Sequence, residues 1–177
     1  MIKIRKVNTK KELKQFIQFY YDLYRSNNCA VPYLYSDEMA TLRRDKNPSF
    51  ECCEAEYFLA YKDGRVVGRV AAIINHRANE RWNCKQVRFG WFDFVDDLEV
   101  STALIKVVED WGKTKGMTEI VGPLGFIDTD REGMLVDGFD ELSTMYINYN
   151  YPYYPKHMEQ MGISRSEERR VGKECRS

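Results

Sequence analysis

Hydrophobic and polar positions follow two periods along this chain. Leu13, Phe16, Ile17, Tyr20, Leu23 and Tyr24 recur at i, i+3, i+4, i+7, which is the spacing of one helix face. Thr9 and Glu12 are spaced as a capping box at its start, and Ser26-Asn27-Asn28 marks its end. Ahead of it, Ile2 to Val7 alternates as a short strand. Glu56 to Tyr61 and Val66 to Asn75 read as two strands. Between them, Lys62-Asp63-Gly64-Arg65 carries the Asp-Gly pair of a tight hairpin turn. The stretch before the hairpin is polar, holds Pro32 and Pro48, and has room for one short helix over Asp37 to Arg44. His76 to Lys85 reads as a loop. Val87 to Val95 is then a strand and Asp97 to Lys115 a helix with the stripe Val100, Leu104, Val107, Val108 and Trp111. Lys113 and Lys115 suit the negative end of that helix, and Gly116 suits its termination. A short strand over Thr118 to Val121, an irregular glycine-bearing stretch and a last helix over Pro155 to Met161 complete the pattern.

A strand, helix and strand in series over 87–121 join parallel strands by a right-handed crossover, whereas the hairpin is antiparallel. The predicted fold class is therefore α/β, with a mixed central sheet and helices on both faces. With 177 residues, the chain suits one domain with a sizeable core.

Lys plus Arg equals Asp plus Glu at 27 each, a balance that supports neither a nucleic-acid nor a membrane-surface partner. No apolar run reaches the roughly 18 residues of a membrane helix, and the charged N-terminus lacks the apolar region of a signal peptide. The five cysteines (Cys29, Cys52, Cys53, Cys84 and Cys175) are odd in number and lack CxxC spacing, which points to reduced thiols in a cytoplasm. The final stretch RSEERRVGKECRS, residues 165–177, resembles the in-frame translation of a sequencing adapter more than any protein. It is read as non-native, so 1–164 is expected to be the domain, incomplete at its C-terminal end.

Three stretches carry a family resemblance: EYFLAYKDGRVVGRVAAIIN, VRFGWFDFVDDLEVSTALIKVVEDW, and YNYPYYPKHMEQMGI. Their order and spacing resemble the GNAT acyltransferase superfamily over residues 1–163. GPLGFIDTDREGMLVDGFD followed by YNYPYY resembles the first of two GNAT-like halves in a group of longer bacterial proteins. The resemblance implies acetyl-CoA as co-substrate, lying in a wedge beside the strand that ends at Val95. Phe94, Val95, Asp96 and Asp97 would then hold its pantetheine and pyrophosphate. It also implies a tyrosine acid four residues before the glycine that follows the last helix, here Gly162, a place that Met158 fills. Tyr153 and Tyr154, one turn upstream, are the substitutes, or else packing aromatics.

The turn at Asp96 departs from the glycine-rich family pattern. Asp96 and Glu99 are spaced as a second capping box, and carboxylates at about 5 Å from a pyrophosphate cost on the order of a few kcal/mol each in an intermediate dielectric. Asp93, among Trp91, Phe92 and Phe94, is the candidate general base, or else part of a solvated sheet face. Alternation places it on the side of Trp91 and Val95. His76 could contact substrate or be an exposed loop histidine, while His157 reads as surface. Asp128 and Asp130 open like an EF-hand loop, but Phe139 stands at the twelfth position. They are read as part of a substrate-facing loop, or else of a structural turn, with no metal site. Two functions follow. One is acyl-CoA-dependent N-acyltransfer to a small-molecule amine or peptide. The other is a GNAT-shaped half without cofactor that supports a second GNAT-like domain.

Overall fold

The computed structural model describes residues 1–144 and 147–164. Residues 165–177, expected to be non-native, lie outside the described residues. The chain runs β1 (Lys3–Lys6), α1 (Lys10–Leu23), α2 (Tyr35–Thr41), a 3-10 turn (Pro48–Glu51), β2 (Cys53–Lys62), β3 (Arg65–Asn75), α3 (His76–Trp82), β4 (Gln86–Phe94), α4 (Leu98–Thr114), β5 (Glu119–Val121) and α5 (Tyr153–Gln160). The strands form one sheet in chain order. The first four are antiparallel, and β4 pairs with β5 in parallel through Gln86↔Glu119, Val87↔Ile120 and Arg88↔Val121. This is the mixed sheet the pattern predicts.

Local chemistry sets most element ends. The Thr9 hydroxyl accepts from the Glu12 amide, and the Glu12 carboxylate accepts from the Thr9 amide, closing the expected capping box. Asp63 and Gly64 both take positive φ in the hairpin turn, and Gly116 does so after α4. Three expectations need correction. His76–Trp82 is a helix, because the Asn75 side chain caps the Ala78 amide and Asn83 ends it in the left-handed region. The cap of α4 is Asp97, which accepts from the Glu99 amide, and not Asp96. Finally, α5 begins at Tyr153, with Pro155 in its first turn, where amides have no intrahelical acceptor.

Two cores form on opposite faces of the sheet. Val70, Ala72, Ile74 and Phe89 pack with Val100, Leu104 and Val108 of α4 and with Met158 of α5. Tyr57, Leu59, Ala71 and Ile73 pack with Phe16 and Ile17 of α1, joined by Leu42 and Phe126. Each such fully buried aliphatic or aromatic side chain stabilises the fold by roughly 1.5–3 kcal/mol. Close approach of α4 depends on Gly68, where a Cβ would stand 2.8 Å from the Leu104 side chain.

One irregularity decides which side chains meet. Arg69 is opposite Asp93, but Ala71 is opposite Gly90, so β4 carries an extra residue, with Trp91 at φ 45°. The bulge inverts the alternation. Phe89 and Phe92 both face the α4 core, while Trp91 and Asp93 both turn toward α1. Val95, expected beside Asp93, packs against the α4 side because the strand has ended at Phe94.

Candidate active site

The bulge aims β4 at a cavity of about 280 Å³ between the sheet, α2 and residues 123–134. Asp93 and Arg69 form its floor. Arg69 has 1% exposure, and its guanidinium donates to Asp93 Oδ2 at 2.7 Å and to the Phe16 carbonyl at 3.0 Å. Desolvation of this depth is tolerable only because both charges are paired and hydrogen-bonded. The rings of Phe16 and Tyr20 also face the guanidinium, at 5.1 and 5.4 Å. The other Asp93 oxygen, Oδ1, accepts from Tyr24 and Tyr154 at 3.4 and 3.5 Å, and those two hydroxyls are 3.0 Å apart. Burial, then nearby negative or phenolic groups, pushes both hydroxyls well above the ordinary tyrosine value, so both stay protonated.

Glu38 of α2 reaches the same cavity and was missed in the sequence. Its residue surface is half-buried, yet its carboxylate accepts from the Trp91 indole at 2.7 Å inside the cavity. Burial raises its pKa above the usual carboxylate value, and the Arg69 charge and the indole N–H only partly offset this. A seven-residue helix with no fully buried residue gave no sign that one of its acids faces inward.

The other expected residues separate. Asp130 lines the cavity and caps the Phe126 and Ile127 amides, at 2.7 and 3.2 Å. Asp128 is exposed and does not line it. Nor does His76, which is on α3 with its ring 2.9 Å from Glu54, about 20 Å along the strand from Arg69. Asp128 and His76 thus stand away from this cavity, while Asp130 lies in its wall. His157, expected at the surface, is buried. Its Nδ1 is 2.9 Å from Ser101 Oγ and its Nε2 is 3.0 Å from Asp96 Oδ1.

Tyr153 and Tyr154 project from α5 onto the edge of β4 that β5 leaves unpaired. The Phe94 amide donates to the Tyr154 hydroxyl at 3.1 Å, and the Tyr153 hydroxyl donates to the Phe94 carbonyl at 2.6 Å. The Val95 amide donates to the Val67 carbonyl. Asp96 is engaged by His157. Asp97 holds both the Glu99 amide and the Lys62 ammonium, the latter at 2.6 Å. All four residues expected to hold the cofactor thus have internal partners. Among the described residues no group of acids, histidines and cysteines could hold a metal ion, and no helix is long and apolar enough to cross a membrane.

Solved structures share this architecture. A tandem GNAT protein from the clavulanic acid biosynthesis pathway superposes with a TM-score of 0.62 at 14% identity, over 94% of this chain and 45% of its own. The chain has the GNAT fold. Glucosamine-6-phosphate N-acetyltransferase from Arabidopsis thaliana shares it at a TM-score of 0.55 and 12% identity, over 95% of each chain. No family model matches the sequence. Two bacterial proteins are similar in sequence. Protein YghO of Escherichia coli strain K12 is 32% identical over 90% of this chain, and a bacterial ceramide synthase of Caulobacter vibrioides is 29% identical over 92%. The chain spans 40% and 42% of the lengths of these curated relatives. The GNAT fold anticipated from the hairpin and the β4–α4 unit is therefore the observed one.

Proposed function

We propose that this chain is one GNAT-fold half of an acyl-CoA-dependent N-acyltransferase, and that this half holds the amine acceptor while a second half carries the acyl-CoA. The observation that carries the reading is a contrast within β4. The backbone and carboxylates at Phe94, Val95, Asp96 and Asp97 are committed to α5, β3 and α4, but the cavity beside Asp93 is open and lined by acids and aromatic rings. A helix N-terminus attracts a pyrophosphate through amides and dipole. Here Asp97 takes the Glu99 amide while paired with Lys62, and Asp96 adds a further carboxylate at the helix start. The relative named as a ceramide synthase suits the reading, since a ceramide is the amide of a long-chain amino alcohol.

Chemically, the amine enters the cavity as an ammonium ion, gives up one proton to solvent water, and attacks the thioester carbonyl presented from the second half. The C–N bond forms, the C–S bond breaks, and the departing thiolate of CoA takes up the second proton of the amine nitrogen. Asp93 orients the site through Arg69, Tyr24 and Tyr154. Its oxygens are already engaged, so it acts as an acceptor in a fixed network.

Hydrogen-exchange mass spectrometry on the longer, two-half protein tests this. Acetyl-CoA is expected to protect amides outside residues 92–101. Protection concentrated at Phe92 to Ser101 would show that this half binds the cofactor after all, and would overturn the division of labour.

A further inference from the structure

Within that reading, we propose that Glu38 is the anion that binds the acceptor's ammonium group, so the cavity selects primary amines over neutral isosteres. Three observations converge. First, the Glu38 carboxylate lines the cavity beside the Trp91 indole, an aromatic neighbour that favours a cation. Second, the lining holds four carboxylates (Asp37, Glu38, Asp93 and Asp130) against two guanidiniums (Arg69 and Arg131), an excess of two negative charges when all are ionised. Third, the neighbouring charges are spoken for. Arg69 is paired with Asp93, Asp130 caps two amides, and Arg131 lies over the Tyr33 ring. Glu38 itself holds only a neutral indole donor among its hydrogen bonds. A carboxylate with a neutral partner in a partly desolvated cavity gains more from an incoming cation than one already paired.

Charged and titratable groups face Glu38 from every side: Arg69 from β3, Asp93 from β4, Arg131 from the 122–144 segment, and Tyr21 and Tyr33 from α1 and the loop after it. Burial dominates among them and raises the Glu38 pKa. An ammonium ion reverses that preference by stabilising the carboxylate. Binding therefore releases a proton from Glu38 wherever Glu38 is partly protonated, and affinity falls as pH is lowered through its raised pKa.

Calorimetric titration of the chain with octylamine, and with octanol as the neutral isostere, reads the effect directly. Glu38→Gln keeps an acceptor for the Trp91 indole and removes only the charge. Octylamine is expected to bind wild type at least about tenfold more tightly than Glu38→Gln, a difference of about 1.4 kcal/mol. Octanol is expected to bind both alike and weakly, and Glu38→Asp to recover part of the loss. The fall in octylamine affinity toward acid pH should vanish in Glu38→Gln. Since the substitution removes a buried acid, its melting temperature should equal or exceed that of wild type, which separates lost binding from lost folding. Equal octylamine affinity in wild type and Glu38→Gln, octanol binding as tight as octylamine, or no octylamine binding to wild type would each overturn the proposal. If Glu38 binds amine but acetyl-CoA protects residues 92–101, the ammonium site stands and only the division between halves fails.

Discussion

Replacing Arg69 with Met removes a guanidinium that is 1% exposed and leaves the Asp93 carboxylate buried with only two long tyrosine hydrogen bonds, at 3.4 and 3.5 Å. Breaking a buried ion pair from one side costs about 3–5 kcal/mol, because the surviving charge keeps its desolvation penalty. The bond to the Phe16 carbonyl goes too, but that carbonyl lies inside α1 and keeps its helical bond from the Tyr20 amide, so its loss adds little. A loss of about 3–5 kcal/mol is thus expected for Arg69→Met. Asp93→Asn should lose less, about 3 kcal/mol, because its amide oxygen can still accept from Arg69 and the Phe16 and Tyr20 rings still face the cation. The double variant Arg69→Met/Asp93→Asn leaves no buried charge at this point and should be more stable than Arg69→Met alone. Urea unfolding of all four proteins, read as a double-mutant cycle, measures this. With total stabilities of about 5–15 kcal/mol typical of a domain, the single variants should be visibly shifted or unfolded. Single costs below about 1 kcal/mol, or a double variant whose loss is the sum of the two, would refute the claim that the charges depend on each other.

Three other outcomes are expected. Tyr154→Phe strands the buried Phe94 amide and should cost about 1–3 kcal/mol in urea unfolding; no change would mean that this hydrogen bond contributes nothing. Gly90→Ala places a Cβ 2.5 Å from the Leu124 carbonyl oxygen, so the segment after β5 must shift, at a cost of about 1–3 kcal/mol read as a lower melting temperature. Burial, then the neighbouring Cys52, pushes the Cys53 thiol up to about 12. At pH 8 iodoacetamide should therefore leave Cys53 unmodified in the folded chain and alkylate it after denaturation, as mass spectrometry of peptides would show.

Legibility in the sequence tracked sequence distance. The Thr9–Glu12 capping box, the Asp63-Gly64 turn and the Gly116 stop are each written within a few residues, and all were readable. The α3 helix was also local, but Asn75 as its cap went unread behind a run of polar residues. The site is different in kind. Asp93 drew notice as a carboxylate among aromatic residues, but its partner Arg69 is 24 residues away, Glu38 is 53 residues from Trp91, and Tyr24 is 130 from Tyr154. One signal was available. Arg69 interrupts the apolar run VVGRVAAII, and a charge in the middle of a buried strand calls for an opposite charge somewhere in the fold. The separation of Asp128 from Asp130 was not readable, because it depends on how the 122–134 segment folds back over β4.

The extra residue in β4 gives the chain an asymmetric tolerance to change. A substitution at Trp91 alters one wall of one cavity. Deleting that one residue would restore strict alternation with Phe89, Phe92 and Phe94 still on the α4 side and Asp93 still opposite Arg69. Three nucleotides lost in frame at that codon would thus remove the indole that donates to Glu38 and leave the pairing of Arg69 with Asp93 in register. Length variation among homologous genes should accordingly fall, within β4, at residue 91, and otherwise collect in the surface loops, where the polarity of a strand does not depend on counting.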